Sequence, residues 1–235
     1  DSHVKFLSRG SGYTLFLTSS EAVLALRKQS AVSDQASAKA DNANPDFKTQ
    51  NPKLETVLRM KLAGANPQPR AIGLNELPGK VNYFTGNDPN KWRTNVPTYA
   101  KVQYQDVYPG VDLVYYGNQR QLEYDFVLKP GMDPEAIKIA FDGVDSVEIN
   151  QQVDLILKTT GGELRMHKPM VYQEANGRRT EIPGKYVLNP KSKIENPKSK
   201  IQNWTVGFQV AAYDSTKPLI IDPVLVYSTY LGGSA

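Results

Sequence analysis

The chain has 235 residues, an apolar share of 40%, a charged share of 22% and no cysteine. These values are ordinary for a folded chain and fit one large all-β domain or two smaller ones. The lack of cysteine excludes disulfides, thiolate metal ligands and a cysteine nucleophile. No apolar run approaches the ~20 residues of a membrane-spanning helix, so we expect no membrane span.

The net charge of +4 comes mostly from one short stretch of the sequence. Residues 189–203 carry four lysines and one glutamate, which is +3 of the +4 and leaves +1 for the rest. Within it the six residues NPKSKI that start at Asn189 are repeated from Asn196, which indicates an insertion into a surface loop. The alternative is that this lysine-rich loop binds an anionic surface polymer. Because the charge is not spread over a surface, we expect no nucleic-acid partner.

The N-terminal part divides into strands and a polar segment. Residues 4–7, 13–17 and 21–27 are predicted to be strands, and we assign residues 1–28 to them. Residues 29–53 are rich in Ser, Ala, Asn, Asp and Gln, which predicts a mobile loop. The sequence starts at Asp1 without Met or a signal peptide, so we expect a processed chain or a fragment.

Short strands at a regular spacing follow, and they predict the fold class. Residues 54–62 alternate as a strand does, whereas residues 64–89 read as a turn-dense connection with a short strand around residues 80–84. From Ala100 onward, strands recur every ~8–12 residues between Gly and Pro turns, with one helical turn at residues 133–136. The prediction is an all-β fold of antiparallel β-sandwich-type sheets with little helix, and two stacked subdomains as an open alternative. We assign residues 54–218 to the main body and residues 219–235 to a C-terminal strand.

The residues that could carry catalysis form no convincing set. Glu123 and Asp125 share one face of a predicted strand, ~6.6–6.8 Å apart along it, which resembles the carboxylate gap of an inverting glycosidase. Strand alternation alone explains that pairing. His3 or His167 could act as a general base, but a surface or half-buried histidine is the simpler interpretation, and a metal site would need a further ligand that the spacing does not offer. We therefore predict no enzyme and no catalytic residue. A glycosidase is the weakest alternative.

Two oxygen-rich loops, residues 86–90 and 142–145, could offer ligands to Ca²⁺. Neither has the spacing of a known calcium loop, and turn formation explains their residues without an ion. We predict no metal site and no cofactor.

Four stretches of the sequence resemble a known bacterial domain. They are VKFLSRGSGYTLFLTSSEAVLAL (residues 4–26), the long block from LPGKVNYF to LKPGMDP (residues 77–134), GELRMHKPMVYQEANG (residues 162–177) and LIIDPVLVYSTYLGG (residues 219–233). The chain resembles the uncharacterised N-terminal domain of SBBP-repeat proteins, which are large secreted or surface proteins. That resemblance implies export and β-propeller repeats after Tyr227. It implies no activity.

These observations favour a non-enzymatic extracellular or cell-surface module for adhesion or assembly. A strand without its propeller blade presents unpaired backbone groups, so the C-terminal segment is predicted to exchange between copies and build filaments. The partners are then other copies or the propeller repeats of the same parent protein. Residues 4–17 are a second candidate segment. The predicted strand-exchange residues are Ile220, Ile221, Val224, Val226, Tyr227 and Tyr230.

A carbohydrate-binding module is the alternative, with a cell-surface polysaccharide as partner. Exposed aromatic rings cover sugar faces in many β-sandwiches, and the candidates are Trp92, Tyr115, Tyr116 and Trp204. Packing in the core is the competing explanation for these rings, and Trp92 in particular could plug one end of the sandwich.

Overall fold

The computed structural model describes residues 3–10, 13–27, 54–84, 86–118, 121–190 and 204–227. These residues form two antiparallel sheets and two short 3-10 helices, Pro89–Lys91 and Pro134–Ala136. The strands are β1 Phe6–Gly10, β2 Tyr13–Leu17, β3 Glu21–Arg27, β4 Leu54–Leu62, β5 Arg70–Tyr83, β6 Arg93–Tyr108, β7 Val111–Asn118, β8 Gln121–Leu128, β9 Ile139–Asp142, β10 Ser146–Ile149, β11 Leu155–Thr159, β12 Gly162–Met166, β13 Met170–Ala175, β14 Arg178–Glu181, β15 Gly184–Pro190, β16 Trp204–Val210, β17 Leu219–Asp222 and β18 Val224–Tyr227.

The first sheet joins the N-terminal strands to later parts of the chain. Its order is β1-β2-β3-β4-β9-β16-β15. In β4, Thr56, Leu58 and Met60 are buried, as the alternation of the sequence predicts. After β9 the chain turns at Gly143, where φ is +85° and a Cβ would collide with the Val57 carbonyl oxygen. Only glycine fits this backbone without strain.

The second sheet is larger and branches at β8. One edge of β8 pairs with β7, which leads through β6 to β5. Its other edge pairs with β17 through Phe126–Leu128 and with β18 through Gln121–Glu123. Beyond β17 lie β13 and β14, and beyond β18 lie β12, β11 and β10.

The C-terminal segment is therefore an internal element of its own subunit. β17 and β18 form nearly one line, interrupted at Pro223, and each lies between two neighbouring strands. Leu219, Ile221 and Leu225 point into the core and are buried. The expectation of an isolated, unpaired strand is wrong for residues 219–227, because their backbone groups already pair on both sides.

The two sheets pack through one core that aromatic rings cross. Tyr104, Tyr115, Tyr124 and Phe126 of the large sheet form successive ring contacts, with centroids 5.8–6.0 Å apart. Phe126 then meets Phe208 of the small sheet at 5.7 Å. Contacts of this kind hold sandwich sheets face to face.

The all-β, sandwich-type fold predicted from the sequence is confirmed. The N-terminal strands share a sheet with β4, β9, β15 and β16, and residues 54–218 supply strands to both sheets. The predicted loop at residues 29–53 and most of the duplicated stretch lie outside the described residues. In the described parts of the chain, no helix has the length and apolar character needed to cross a bilayer.

Candidate functional site

A two-stranded ribbon projects from the large sheet. β6 pairs with β7 only up to the Lys101–Tyr116 pair. Beyond that pair, among the described strands, β5 and β6 pair only with each other, from Leu74–Lys101 to Tyr83–Arg93. We call residues 74–100 the arm. At ~3.3 Å per residue, Arg93 lies at most about 26 Å beyond Lys101 along β6.

The tip of the arm is an ordered turn. The Asp88 side chain caps the 3-10 helix Pro89–Lys91 by accepting a hydrogen bond from the Asn90 backbone N–H at 3.0 Å. The Trp92 indole N–H donates to the Gly86 carbonyl oxygen at 3.1 Å. The rings of Phe84 and Trp92 meet edge to face at 5.1 Å. These contacts present the two aromatic rings together at the end of the ribbon.

The arm exposes most of the large apolar side chains that reach the surface. Among the described residues, five large hydrophobic side chains are strongly exposed, and four of them lie on the arm. Phe84 is 62% exposed and Trp92 is 39% exposed. The arm residues are Leu77, Val81, Phe84 and Trp92, and the fifth is Met170. Clusters of exposed apolar groups on one element are typical of interaction surfaces.

The backbone edges of the arm are poorly suited to pairing with another strand. The register shifts between Leu77 and Lys80 and again between Val81 and Tyr83. Pro78 and Pro97 have no N–H to donate, and bulges twist an edge away from a partner. Proteins use these devices to prevent edge-to-edge association. Contacts through side chains are therefore favoured over strand addition.

The base of the arm is fixed to the body by Tyr99. Its ring covers Gly73 so closely that a Cβ there would collide with it. The same ring meets Phe6 of β1 edge to face at 6.2 Å. The arm thus starts from a packed joint between the two sheets.

The predicted glycan-contact residues are separated in the structure. Tyr115 is 6% exposed and belongs to the core, so its assignment as a sugar platform is wrong. Tyr116 is half-buried, and its hydroxyl donates to Asp125 at 2.9 Å. Trp92 lies at the arm tip, so the idea that it plugs the sandwich is also wrong. The side chain of Trp204 lies outside the described part of the chain.

The predicted strand-exchange residues lie in β17 and β18, apart from Tyr230. Ile221 is buried in the core, while Ile220 and Val224 are half-buried on the outer face of the sheet. For Val226 and Tyr227 only the backbone is described, and both pair with neighbouring strands. Tyr230 lies outside the described residues.

Glu123 and Asp125 lie on the outer face of the large sheet, next to Asp222. Burial raises the pKa of Asp125 to about 6, the hydrogen bond from Tyr116 opposes the rise, and the charge of Asp222 adds to it. Burial also raises the pKa of Asp222, and burial followed by the charge of Asp222 raises that of Glu123. Lys101 lies 4.8 Å from the centre of the Tyr116 ring and partly balances this negative face.

His167 faces a different carboxylate from the two predicted ones. Its Nδ1 lies 3.5 Å from Asp154 Oδ2, and its backbone N–H donates to the Val224 carbonyl. Val224 pairs with Glu123, so one strand separates His167 from Glu123 in the sheet. Within the described residues, no group of three His, Cys, Asp or Glu side chains is placed to hold a metal ion.

The chain belongs to a family of domains of unknown function, DUF7948. The family model matches residues 1–224. Neither a curated protein nor a solved structure matches the chain. Membership therefore adds no activity, substrate or partner to what the residues themselves indicate.

Proposed function

We propose that the chain is a non-enzymatic, extracellular structural module that associates with other copies through the arm. The observation that carries this proposal is the concentration of exposed apolar side chains on residues 74–100. A two-stranded ribbon gains little stability by exposing Phe84 and Trp92 to water. Conversely, covering those rings in an assembly would remove apolar area from water and stabilise the contact.

We assign the contact between copies to the arm and not to the C-terminal strand. The C-terminal strand could join another copy only by leaving two neighbouring strands of its own sheet. The arm tip can dock without breaking any backbone pair. The energetic cost of association is therefore much lower through the arm.

The test is a chain with a shortened arm. Residues 78–97 are replaced by Asn-Gly, which closes the Leu77–Thr98 pair as a two-residue hairpin. The native chain is expected to show a mass that increases with concentration in sedimentation velocity. The shortened chain is expected to remain a monomer over the same concentration range.

Met170→Ser provides the matched control, because Met170 is a strongly exposed large hydrophobic residue that the structure places outside the arm. This variant should associate as the native chain does. A native chain that stays monomeric at millimolar concentration would refute the proposal. So would a shortened chain that associates unchanged.

We also propose that the module precedes β-propeller repeats on the bacterial surface. This rests on the resemblance of residues 4–26, 77–134, 162–177 and 219–233 to the N-terminal domain of SBBP-repeat proteins. Protease treatment of intact cells should remove the protein while a cytoplasmic marker stays whole. Full protection of the protein would contradict the surface location.

A further inference from the structure

An apolar cleft opens between the two sheets, beside the base of the arm. The β2–β3 turn and the end of β4 form one wall, and β6 and β7 form the other. Its volume is about 270 Å³. The residues that line it include Leu17, Glu21, Leu62, Ala65, Tyr104 and Leu113.

The lining of the cleft includes a buried hydroxyl that lacks a hydrogen-bond partner. Tyr104 is 4% exposed, and its hydroxyl has no hydrogen-bond partner among the described residues. The Glu21 carboxylate, by contrast, is paired, because Arg59 donates to its Oε1 at 2.6 Å and Lys61 Nζ lies 3.6 Å from its Oε2. Buried polar atoms are normally paired, because leaving one unpaired costs about 1–3 kcal/mol. The cleft therefore offers a mostly apolar surface and, in the Tyr104 hydroxyl, one group with which an occupant can form a hydrogen bond.

The volume of the cleft limits its occupant. A cavity of ~150 Å³ holds benzene, and pockets for drug-sized ligands start near ~300 Å³. A cleft of about 270 Å³ therefore suits one aromatic side chain with a few neighbouring atoms. This is the size of group that an interface anchor supplies.

The arm tip has the matching properties. Phe84 is the most exposed of the large hydrophobic residues described. Residues 80–93 carry Lys80, Lys91 and Arg93 against Asp88, so the tip also brings hydrogen-bond donors that the Tyr104 hydroxyl can accept. No residue of the tip lines the cleft of its own chain, so the cleft is open to the tip of a second copy.

We propose that the aromatic tip of the arm docks into the cleft of a second copy. This inference rests on the proposed function and adds the receiving site. The cleft wall includes Tyr104, only three residues from the start of the arm at Lys101. Because the cleft is adjacent to the base of the arm, two copies can each insert an arm into the other. The expected assembly is a two-fold dimer.

Two substitutions test the two halves of the contact separately. Phe84→Ser removes the inserted ring, and Ala65→Phe fills the cleft from its rim. Each should weaken dimerisation by at least about 30-fold in sedimentation equilibrium, as loss of a central aromatic anchor does. The controls are Met170→Ser and Ala175→Phe, which make the same changes at exposed positions away from both sites.

Cross-linking tests the same contact in chains that do not carry the Ala65→Phe substitution. The chain has no cysteine, so single cysteines can be placed without background. Asn87→Cys on the arm is mixed with Ser20→Cys on the cleft rim and treated with a short bismaleimide. A cross-linked dimer should form between the Asn87→Cys and Ser20→Cys chains. None should form between the Asn87→Cys and Arg178→Cys chains.

The outcomes separate this inference from the proposed function. If Phe84→Ser weakens association while Ala65→Phe and the cross-link show no effect, the arm acts elsewhere and the cleft assignment is wrong. If the native chain does not associate, the proposed function fails together with the inference. Species that grow beyond the dimer without a plateau would overturn the reciprocal arrangement.

Discussion

β8 and the arm are both built from paired strands, yet they differ in what surrounds them. β8 has neighbours on both edges, and Tyr124, Phe126 and Leu128 are wholly buried. The arm has one pairing ladder, and Phe84 and Trp92 face water. The first region is stabilised by burial, whereas the second presents apolar groups that its own fold does not cover.

This difference separates residues that stabilise the fold from residues available for contacts. Removing a group from the neighbourhood of β8 should lower the free energy of unfolding. Removing one from the arm should change association and leave stability nearly unchanged. The following substitutions test that separation, beginning with the largest expected effect.

Ending the chain after Pro218 should abolish cooperative folding. The truncation removes β17 and β18, which leaves one edge of β8 and the facing edges of β12 and β13 unpaired. It also removes the buried side chains of Leu219, Ile221 and Leu225 from the core. Near-ultraviolet circular dichroism and urea titration should show no native signal. A soluble, folded monomer would contradict the internal position of this segment.

Phe126→Ala should lower the free energy of unfolding by about 3–5 kcal/mol, as other large core truncations do. Phe126 is 0% exposed and joins the two sheets through Phe208. Urea denaturation monitored by tryptophan fluorescence measures the change. A loss below about 1 kcal/mol would mean that the junction between the sheets is not tightly packed.

Asp125→Asn should stabilise the fold near neutral pH by about 1 kcal/mol. The pKa of Asp125 is raised to about 6, so the folded chain holds a proton that the unfolded chain has lost above ~4. Stability from this group is full below pH ~4 and is lost as pH rises through about 6. Because the carboxyl is only half-buried, solvent screening reduces the effect.

Urea titrations at pH 4 and pH 7 measure the effect of Asp125→Asn. The amide oxygen can still accept from Tyr116, so the gain over the native chain should be larger at pH 7 than at pH 4. Asp145→Asn, in an exposed turn, provides the matched control. An equal difference at both pH values would show that titration of Asp125 does not contribute.

Phe84→Ser should change the free energy of unfolding by less than about 0.5 kcal/mol, since surface substitutions outside special contacts rarely do more. The same variant is the one expected to weaken association strongly. Thermal unfolding at concentrations where the chain is a monomer measures the effect on the free energy of unfolding alone. A loss of about 2 kcal/mol or more would mean that the Phe84–Trp92 contact stabilises the body of the fold.

Local patterns predicted individual elements but not which strands lie side by side. The alternation in residues 54–62, the strands at residues 13–17 and 21–27 and the turn at residues 133–136 all agree with the structure. The pairing of β8 with β17 and β18 joins residues about a hundred positions apart. Strand propensity identifies such segments but contains no information about a distant partner.

The sequence does not reveal the arm, because the Gly and Pro residues in this region predict a series of turns. Pro78 and Gly79 lie in a bulge rather than a turn. Asn75 and Asn95 take positive φ values of 54° and 57° within long strands. Asn tolerates that conformation, so these residues let the ribbon twist without ending it. The signal that could have revealed the arm is the pair of β-forming runs around the compact turn at residues 86–92.

The central position of β17 and β18 also determines when the molecule can fold. Until residue 227 has been synthesised, the large sheet lacks the two strands that lie between β8 on one side and β12 and β13 on the other. The earlier strands can collapse but cannot complete their ladder, so the domain can fold only after residues 219–227 have left the ribosome. During that interval the unpaired edges of β8, β12 and β13 are open to pairing with another chain.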